Sequence, residues 1–245
     1  MKTTHDTILN GKIQLIQPAE GYRAAIDPLF LAASIPVRPG ESVLEIGPGV
    51  GTAMLALAHR VPHVKITGLE LQHPLVRLAQ QNIKLNHFQD RLEVLHGDLL
   101  LPPPRLSAGS FSHIMVNPPY YAEEGSPKSP NITKALGNIE HTAPLAKWID
   151  FCIRMVRPKG SITFIYTADR LDDLLAAMHD RVGEITLFPL WPRAGKPAKR
   201  VLVRGRKNVK SSSQLLSGLI PHQTDGTYTL EANSILSNGM ALDLT

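Results

Sequence analysis

The sequence predicts an α/β fold: a mostly parallel sheet of seven strands, helices on both faces, and an antiparallel last strand. Two observations carry that prediction. Short apolar, β-rich runs, SVLEI (42–46), VKITGLE (64–70), RLEVL (91–95), SHIMV (112–116) and SITFIY (161–166), are separated by helical stretches, as in a parallel sheet covered on both faces. Two further runs, EITLFPL (184–190) and KRVLVRG (199–205), are joined only by WPRAGKPA. A linker that short cannot make a parallel crossover, so this last pair should form an antiparallel hairpin.

The elements follow in chain order. IDPLFLAAS starts a helix, with Asp27 as N-cap and Pro28 at the first helical position. Leu75, Leu78, Ala79 and Ile83 keep helical period between the second and third strands, and Trp148, Phe151, Cys152 and Met155 do so before the fifth. That places the single cysteine in the core as a structural thiol, and one cysteine forms no internal disulfide, in keeping with a reducing compartment. Residues 122–140, rich in Pro, Ser, Asn and Lys, read as a long loop. The expected organisation is one domain over residues 1–210 with a short N-terminal segment, then a 211–245 tail of undefined structure. The N-terminus has no apolar signal core and no run of about 18 apolar residues occurs, so a cytoplasmic protein without membrane contact is expected. A net charge of +5 and a pI near 9.4 favour an anionic partner.

VLEIGPGVG is a strand running into a glycine-rich turn. Gly47, Gly49 and Gly51 let a ligand approach the backbone closely, but the spacing departs from the dinucleotide fingerprint because Thr52 stands at its third position. Glu45, just before the turn, suits a ligand with a cationic end and would repel a pyrophosphate. Glu70 closes the next strand about 20 residues on, where a carboxylate accepts ribose hydroxyls. Asp98 closes the third strand and would accept from an adenine amino group. Together the three carboxylates outline an adenosine site at the carboxyl edge of the sheet. The strand SHIMV then ends in Asn117-Pro118-Pro119-Tyr120-Tyr121, a stiffer exit than a turn requires.

With these motifs in order, EIGPGVG, GLEL, GDLL and NPPY, the chain resembles the class I S-adenosylmethionine-dependent methyltransferases, whose sheet is Rossmann-like. The resemblance implies S-adenosylmethionine as cofactor, bound by Glu45, Gly47, Gly49, Gly51, Glu70, Leu71, Asp98, Leu99 and Asn117. In this family NPPY accompanies methylation of a nitrogen conjugated to a planar system: an adenine or cytosine amine, or a glutamine amide. Asn117 and Pro118 would accept the two amine hydrogens and aim the nitrogen lone pair at the methyl group, with Tyr120 stacked on the substrate and Pro119 and Tyr121 beside it. Arg23 and Asp27 would help close the cofactor pocket, although a capping role for Asp27 is the plainer reading.

GYRAAIDPLFLAA, NPPYY and WPRAGKPAKRVLVRGRK are more closely similar to the bacterial tRNA adenine-N6 methyltransferases that act next to the valine tRNA anticodon. On this reading the partner is RNA, expected to be tRNA, and Arg193, Lys196, Lys199 and Arg200 on the hairpin loop contact phosphates, with Arg204, Arg206, Lys207 and Lys210 continuing along the next strand. Two rivals remain at this level: a protein glutamine methyltransferase, whose N-terminal recognition domain has no room here, and a non-catalytic RNA-binding module. The histidines show no metal-ligand spacing.

Overall fold

The computed structural model describes residues 1–20, 23, 25–119 and 143–244. Its main sheet contains the seven expected strands, β3 (Ser42–Ile46), β4 (Lys65–Glu70), β5 (Leu92–His96), β6 (Phe111–Val116), β7 (Val156–Thr167), β8 (Val182–Leu190) and β9 (Arg200–Lys207). A two-residue strand, β10 (Gln214–Leu215), adds an eighth at one edge, giving the order β10-β8-β9-β7-β6-β3-β4-β5. Only β9 runs against its neighbours β7 and β8; the other pairs are parallel.

Alternation along the strands builds two cores. Val43, Met115, Ile165 and Leu202 point to one face, where they pack with α1 (Asp27–Ser34), α2 (Thr52–Arg60) and α3 (His73–Leu85). Leu44, Ile114, Val116, Phe164, Val201 and Val203 point to the other, against α4 (Leu145–Met155) and α5 (Leu171–Met178). Because successive side chains leave a strand on opposite faces, a sheet covered on both sides needs apolar residues at every position. Cys152 of α4 is fully buried in the second core, and burial pushes its thiol pKa up, as a structural cysteine requires.

The first residues form a hairpin, β1 (Thr3–Ile8) and β2 (Ile13–Pro18), which was expected only as a short segment. Its loop contains Leu9, Asn10 and Gly11, all with positive φ. The outer edge of β2 is not left open. Asn86 exchanges two hydrogen bonds with the backbone of Gln14 (2.8 and 2.7 Å), and Asn82, one turn earlier in α3, does the same with Ile16 (2.7 and 2.9 Å). Two side-chain amides at i and i+4 thus act as a missing strand for β2.

Asp27 is not an N-cap. Ile26 occupies that position without a side-chain cap bond, and Asp27 lies within the first turn of α1, where its carboxylate accepts from Arg200 Nε (2.8 Å). An available guanidinium outcompetes the capping role, because a charge-assisted bond is stronger than one to a neutral amide. Arg23 binds Asp6 (3.0 Å), Thr4 (2.8 Å) and the Pro18 carbonyl (3.1 Å), which ties it to the hairpin.

The chain beyond residue 210 adds β10 and then α6 (Leu230–Asn238), capped by Thr229 and ended by Gly239 in the left-handed region. Ile235 and Leu236 of α6 join the first core, and Leu242 N–H donates to the Ala33 carbonyl at the end of α1 (2.9 Å).

Candidate active site

Register places the motif residues on one edge. Ile46 pairs with Val116 and with Leu69, and Glu70 pairs with His96, so β3, β4, β5 and β6 end at the same level. Asn117, Gly47, Glu70 and Asp98 therefore follow one another across the carboxyl edge. Gly47, Gly49 and Gly51 all have positive φ (70°, 57° and 89°), conformations that side-chain-bearing residues adopt only under strain. A Cβ on Gly49 would meet nothing within 4 Å, so that surface is open to a ligand.

Three contacts brace the turn. Gly47 N–H donates to the Leu69 carbonyl (2.9 Å), and Gly49 N–H to Glu70 Oε2 (2.9 Å). Asn82 Nδ2 donates to the Val50 carbonyl (2.9 Å), which links the N-terminal hairpin to the glycine turn through one buried amide. Gly68, inside β4, makes room for Pro48: a Cβ there would lie 2.8 Å from the proline Cγ. Its signal was a glycine inside a strand, which marks close approach of another backbone or side chain.

Glu45 is 3% exposed and has an oxygen, Oε2, with no partner. Its carboxylate accepts from Met54 N–H in the first turn of α2, whose own N-cap Gly51 supplies no side chain. Burial, reinforced by the nearby Glu70 charge, pushes its pKa up from 4.5 to about 8. Glu70 is also buried and its pKa is raised by desolvation, which backbone donors from Gln72, Gly49 and Leu71 oppose. Each Glu70 oxygen takes one backbone N–H, Oε1 from Gln72 and Oε2 from Gly49 (both 2.9 Å). A carboxylate has about four acceptor sites, so capacity remains for a ribose hydroxyl beside these backbone donors.

Asp98 is half-buried, with Oδ1 accepting from Leu100 N–H (2.8 Å). Leu71 is exposed on the same edge, whereas Leu99 is half-buried against the second core. Asn117 and Pro118 leave β6 directly beside Gly47, with Pro119 exposed. Tyr120, Tyr121 and the 122–140 loop lie outside the described residues.

The basic hairpin loop between β8 and β9 opens on this same edge, since Leu190 pairs with Arg200 and Arg200 with Thr167, beyond the Val116 level. Arg193, Lys196 and Lys199 are exposed. Arg200 is engaged by Asp27. The basic residues of β9 do not extend the patch, because that strand runs away from the site. Arg204 donates to the Leu244 carbonyl (2.8 Å), Arg206 pairs with Glu184 (3.0 Å), and Lys207 donates to the carbonyls of Ile153 and Val156 (2.7 and 2.9 Å). These three hold the fold together.

Residues 26–139 match the family model of the methyltransferase small domain. Among solved structures, a predicted O-methyltransferase from Agrobacterium tumefaciens superposes with a TM-score of 0.73 at 24% identity, over 89% of this chain and 98% of that one. A tRNA (m1A58) methyltransferase from Aquifex aeolicus gives a TM-score of 0.57 at 15% identity, over 80% and 73%. Both show the same fold. The tRNA1(Val) (adenine(37)-N6)-methyltransferase of Porphyromonas gingivalis is 31% identical over 229 residues, covering 90% of this chain and 89% of the relative. The chain belongs to this methyltransferase family. The enzyme of the same name from Aeromonas hydrophila is 27% identical over 211 residues, covering 84% and 85%.

As a member of this family the protein is an S-adenosylmethionine-dependent methyltransferase, and the edge just described fits that cofactor. Glu45, with its unpartnered buried oxygen, and Glu70 are carboxylates whose ionised forms a cationic ligand would favour. The open face at Gly49 leaves room for it. Among the described residues, no cluster of His, Cys, Asp and Glu could hold a metal ion, and no helix is long and apolar enough to cross a membrane.

The raised Glu45 pKa has a measurable effect. A cationic ligand favours the ionised carboxylate, so binding at pH 7 should release a proton from a group otherwise protonated below about pH 8. S-adenosylmethionine affinity should rise with pH between about 6 and 7.5, by up to about tenfold per unit. Calorimetry in buffers of different ionisation enthalpy reads the released proton, and Glu45→Gln should abolish it. The sign is opposite for the cofactor-free fold. The native state holds this proton more tightly than the unfolded chain, so stability falls as pH rises from 4.5 towards 8.

Proposed function

We propose that the protein transfers the methyl group of S-adenosylmethionine to the exocyclic N6 of an adenine in tRNA, next to the anticodon. The observation that carries the reading is the position of Asn117-Pro118, beside the glycine turn and on the edge where the basic loop opens. The relatives' printed activity on adenine 37 of tRNA1(Val) supports the same assignment.

The cofactor supplies an electrophilic methyl group carried on a sulfonium. An adenine amine is a weak nucleophile because its lone pair is delocalised into the ring. Asn117 Oδ1 and the Pro118 carbonyl accept its two hydrogens, which frees the lone pair and points it in line with the methyl group. Pro119 carries no N–H, so the turn offers no competing donor at that position. Tyr120 stacks on the extruded base. Glu45 and Glu70 hold the cofactor, and no strong general base is needed, since the amine proton leaves after the nitrogen has gained positive charge.

Arg193, Lys196 and Lys199 position the RNA through its phosphates. Converting all three to alanine is expected to reduce the slope of log affinity against log salt by about 2 to 3, because each lost contact retains its counterion. Filter binding across a salt series reads this slope, and an unchanged value would assign the loop to solvent. Arg200 is left out of that set because its loss would strand Asp27. The activity itself is tested by incubating the protein with labelled S-adenosylmethionine and separate pools of tRNA, rRNA and protein. Label confined to tRNA is expected; label in protein would favour glutamine methylation.

A further inference from the structure

The segment after β10 runs alongside β8 towards the catalytic edge. Leu216 N–H donates to the Leu187 carbonyl (2.9 Å), Leu219 N–H to Pro189 (2.9 Å), and Trp191 N–H to Leu219 (2.8 Å). The approach is close because residue 218 is glycine. With φ at +78°, a Cβ there would lie 2.1 Å from the Pro189 oxygen and 2.8 Å from Trp191 Nε1. Trp191 Nε1 itself donates to the Ser217 carbonyl (2.9 Å). The root of the basic loop is thus bonded to the C-terminal segment, and residues 220–229 follow directly from that contact at the carboxyl end of β8.

These residues form a braced turn. Thr229 donates its N–H to Pro221 and its hydroxyl to Ile220 (both 2.9 Å), and Gln223 N–H donates to Thr227 (2.8 Å). Asp225 accepts from both the amide and the hydroxyl of Thr227 (2.9 and 2.7 Å), which turns its charge into the turn. Tyr228 is 40% exposed, and its ring lies against that of His222 with centroids 5.1 Å apart. Neither residue belongs to a core cluster. A braced turn with a partly exposed aromatic ring, continuing from the segment bonded to the root of the basic loop, supplies with that loop the two components of single-stranded RNA binding, cations for phosphates and a ring for a base.

We propose that the turn 221–229 is a second RNA contact, in which the Tyr228 ring, backed by His222, stacks on an unpaired base of the loop that presents the target adenine. This rests on the RNA reading above. Pre-ordering of the ring by the turn limits the entropy lost when a base stacks on it.

The test uses the full-length protein and an anticodon stem-loop RNA, with affinity read by fluorescence anisotropy across salt. Tyr228→Ala is expected to weaken binding by roughly tenfold, the scale of one base–aromatic stack, with the salt slope unchanged because no phosphate contact is lost. Tyr228→Phe should bind like the wild type, and Tyr228→Leu should stay weak, since a planar face is required rather than apolar bulk. Thermal melting and S-adenosylmethionine affinity identify any variant that is damaged in its fold. Should the alanine variant misfold, the Phe and Leu pair decides. Wild-type affinity in Tyr228→Ala, or recovery in Tyr228→Leu, overturns the proposal. If the wild type methylates the RNA while Tyr228→Ala binds normally, this contact alone fails. If the wild type transfers no methyl group to RNA, the functional reading fails with it.

Discussion

Asn117→Ala is expected to lower single-turnover methyl transfer by at least about 100-fold, the scale of loss when a reacting group is misplaced. The residue follows Val116, which is locked to both Ile46 and Phe164, so its backbone position is set by the centre of the sheet rather than by a loop. Removing the amide takes away one of two acceptors for the amine and leaves the nitrogen free to rotate out of line. Binding should change little, because phosphate contacts dominate RNA affinity and the proposed site assigns the cofactor to Glu45 and Glu70. Asn117→Asp separates acceptor from charge: it retains an oxygen but places a second negative group near the sulfonium, which stabilises the reactant and slows transfer. Rapid-quench assays with saturating RNA read both variants, and full activity in Asn117→Ala would leave NPPY as no more than a rigid turn.

Glu70→Ala is expected to weaken S-adenosylmethionine binding by about 1.5 to 3 kcal/mol, the range for hydrogen bonds to a charged group. Its structural role adds a second effect. Glu70 also receives the N–H groups of Gly49 and Gln72, so the alanine variant leaves two backbone donors without their partner and loosens the glycine turn. Melting temperature should therefore fall together with affinity. Glu70→Gln keeps an acceptor for one of those donors and should lie between the wild type and alanine in both measurements. Unchanged affinity by calorimetry in Glu70→Ala would remove Glu70 from the cofactor site.

What the sequence disclosed and what it hid have physical causes. The parallel sheet was legible because strands buried on both faces must be continuously apolar, and because the linker before β9 is too short for a crossover. The strand-end positions of the carboxylates and of Asn117-Pro118 were legible because each directly closes an apolar run. The N-terminal hairpin carried its own signal, Asn10-Gly11 between alternating residues, but its polar outer strand has little hydrophobic weight. Its anchorage was not readable, since Asn82 and Asn86 look like ordinary polar residues of an amphipathic helix until β2 is placed beside them. The fate of each basic side chain was equally hidden. Arg200, Arg204, Arg206 and Lys207 find carboxylates or carbonyls from other elements, and local charge density cannot distinguish such residues from those facing solvent.

Transfer to adenine N6 beside the anticodon can be read from the product itself. The direct measurement is nucleoside mass spectrometry on a tRNA1(Val) transcript incubated with the protein and S-adenosylmethionine, alongside a transcript with adenine 37 replaced by guanine. N6-methyladenosine is expected in the first and none in the second. A methyl group on another atom or nucleotide, or equal labelling of both transcripts, would contradict it.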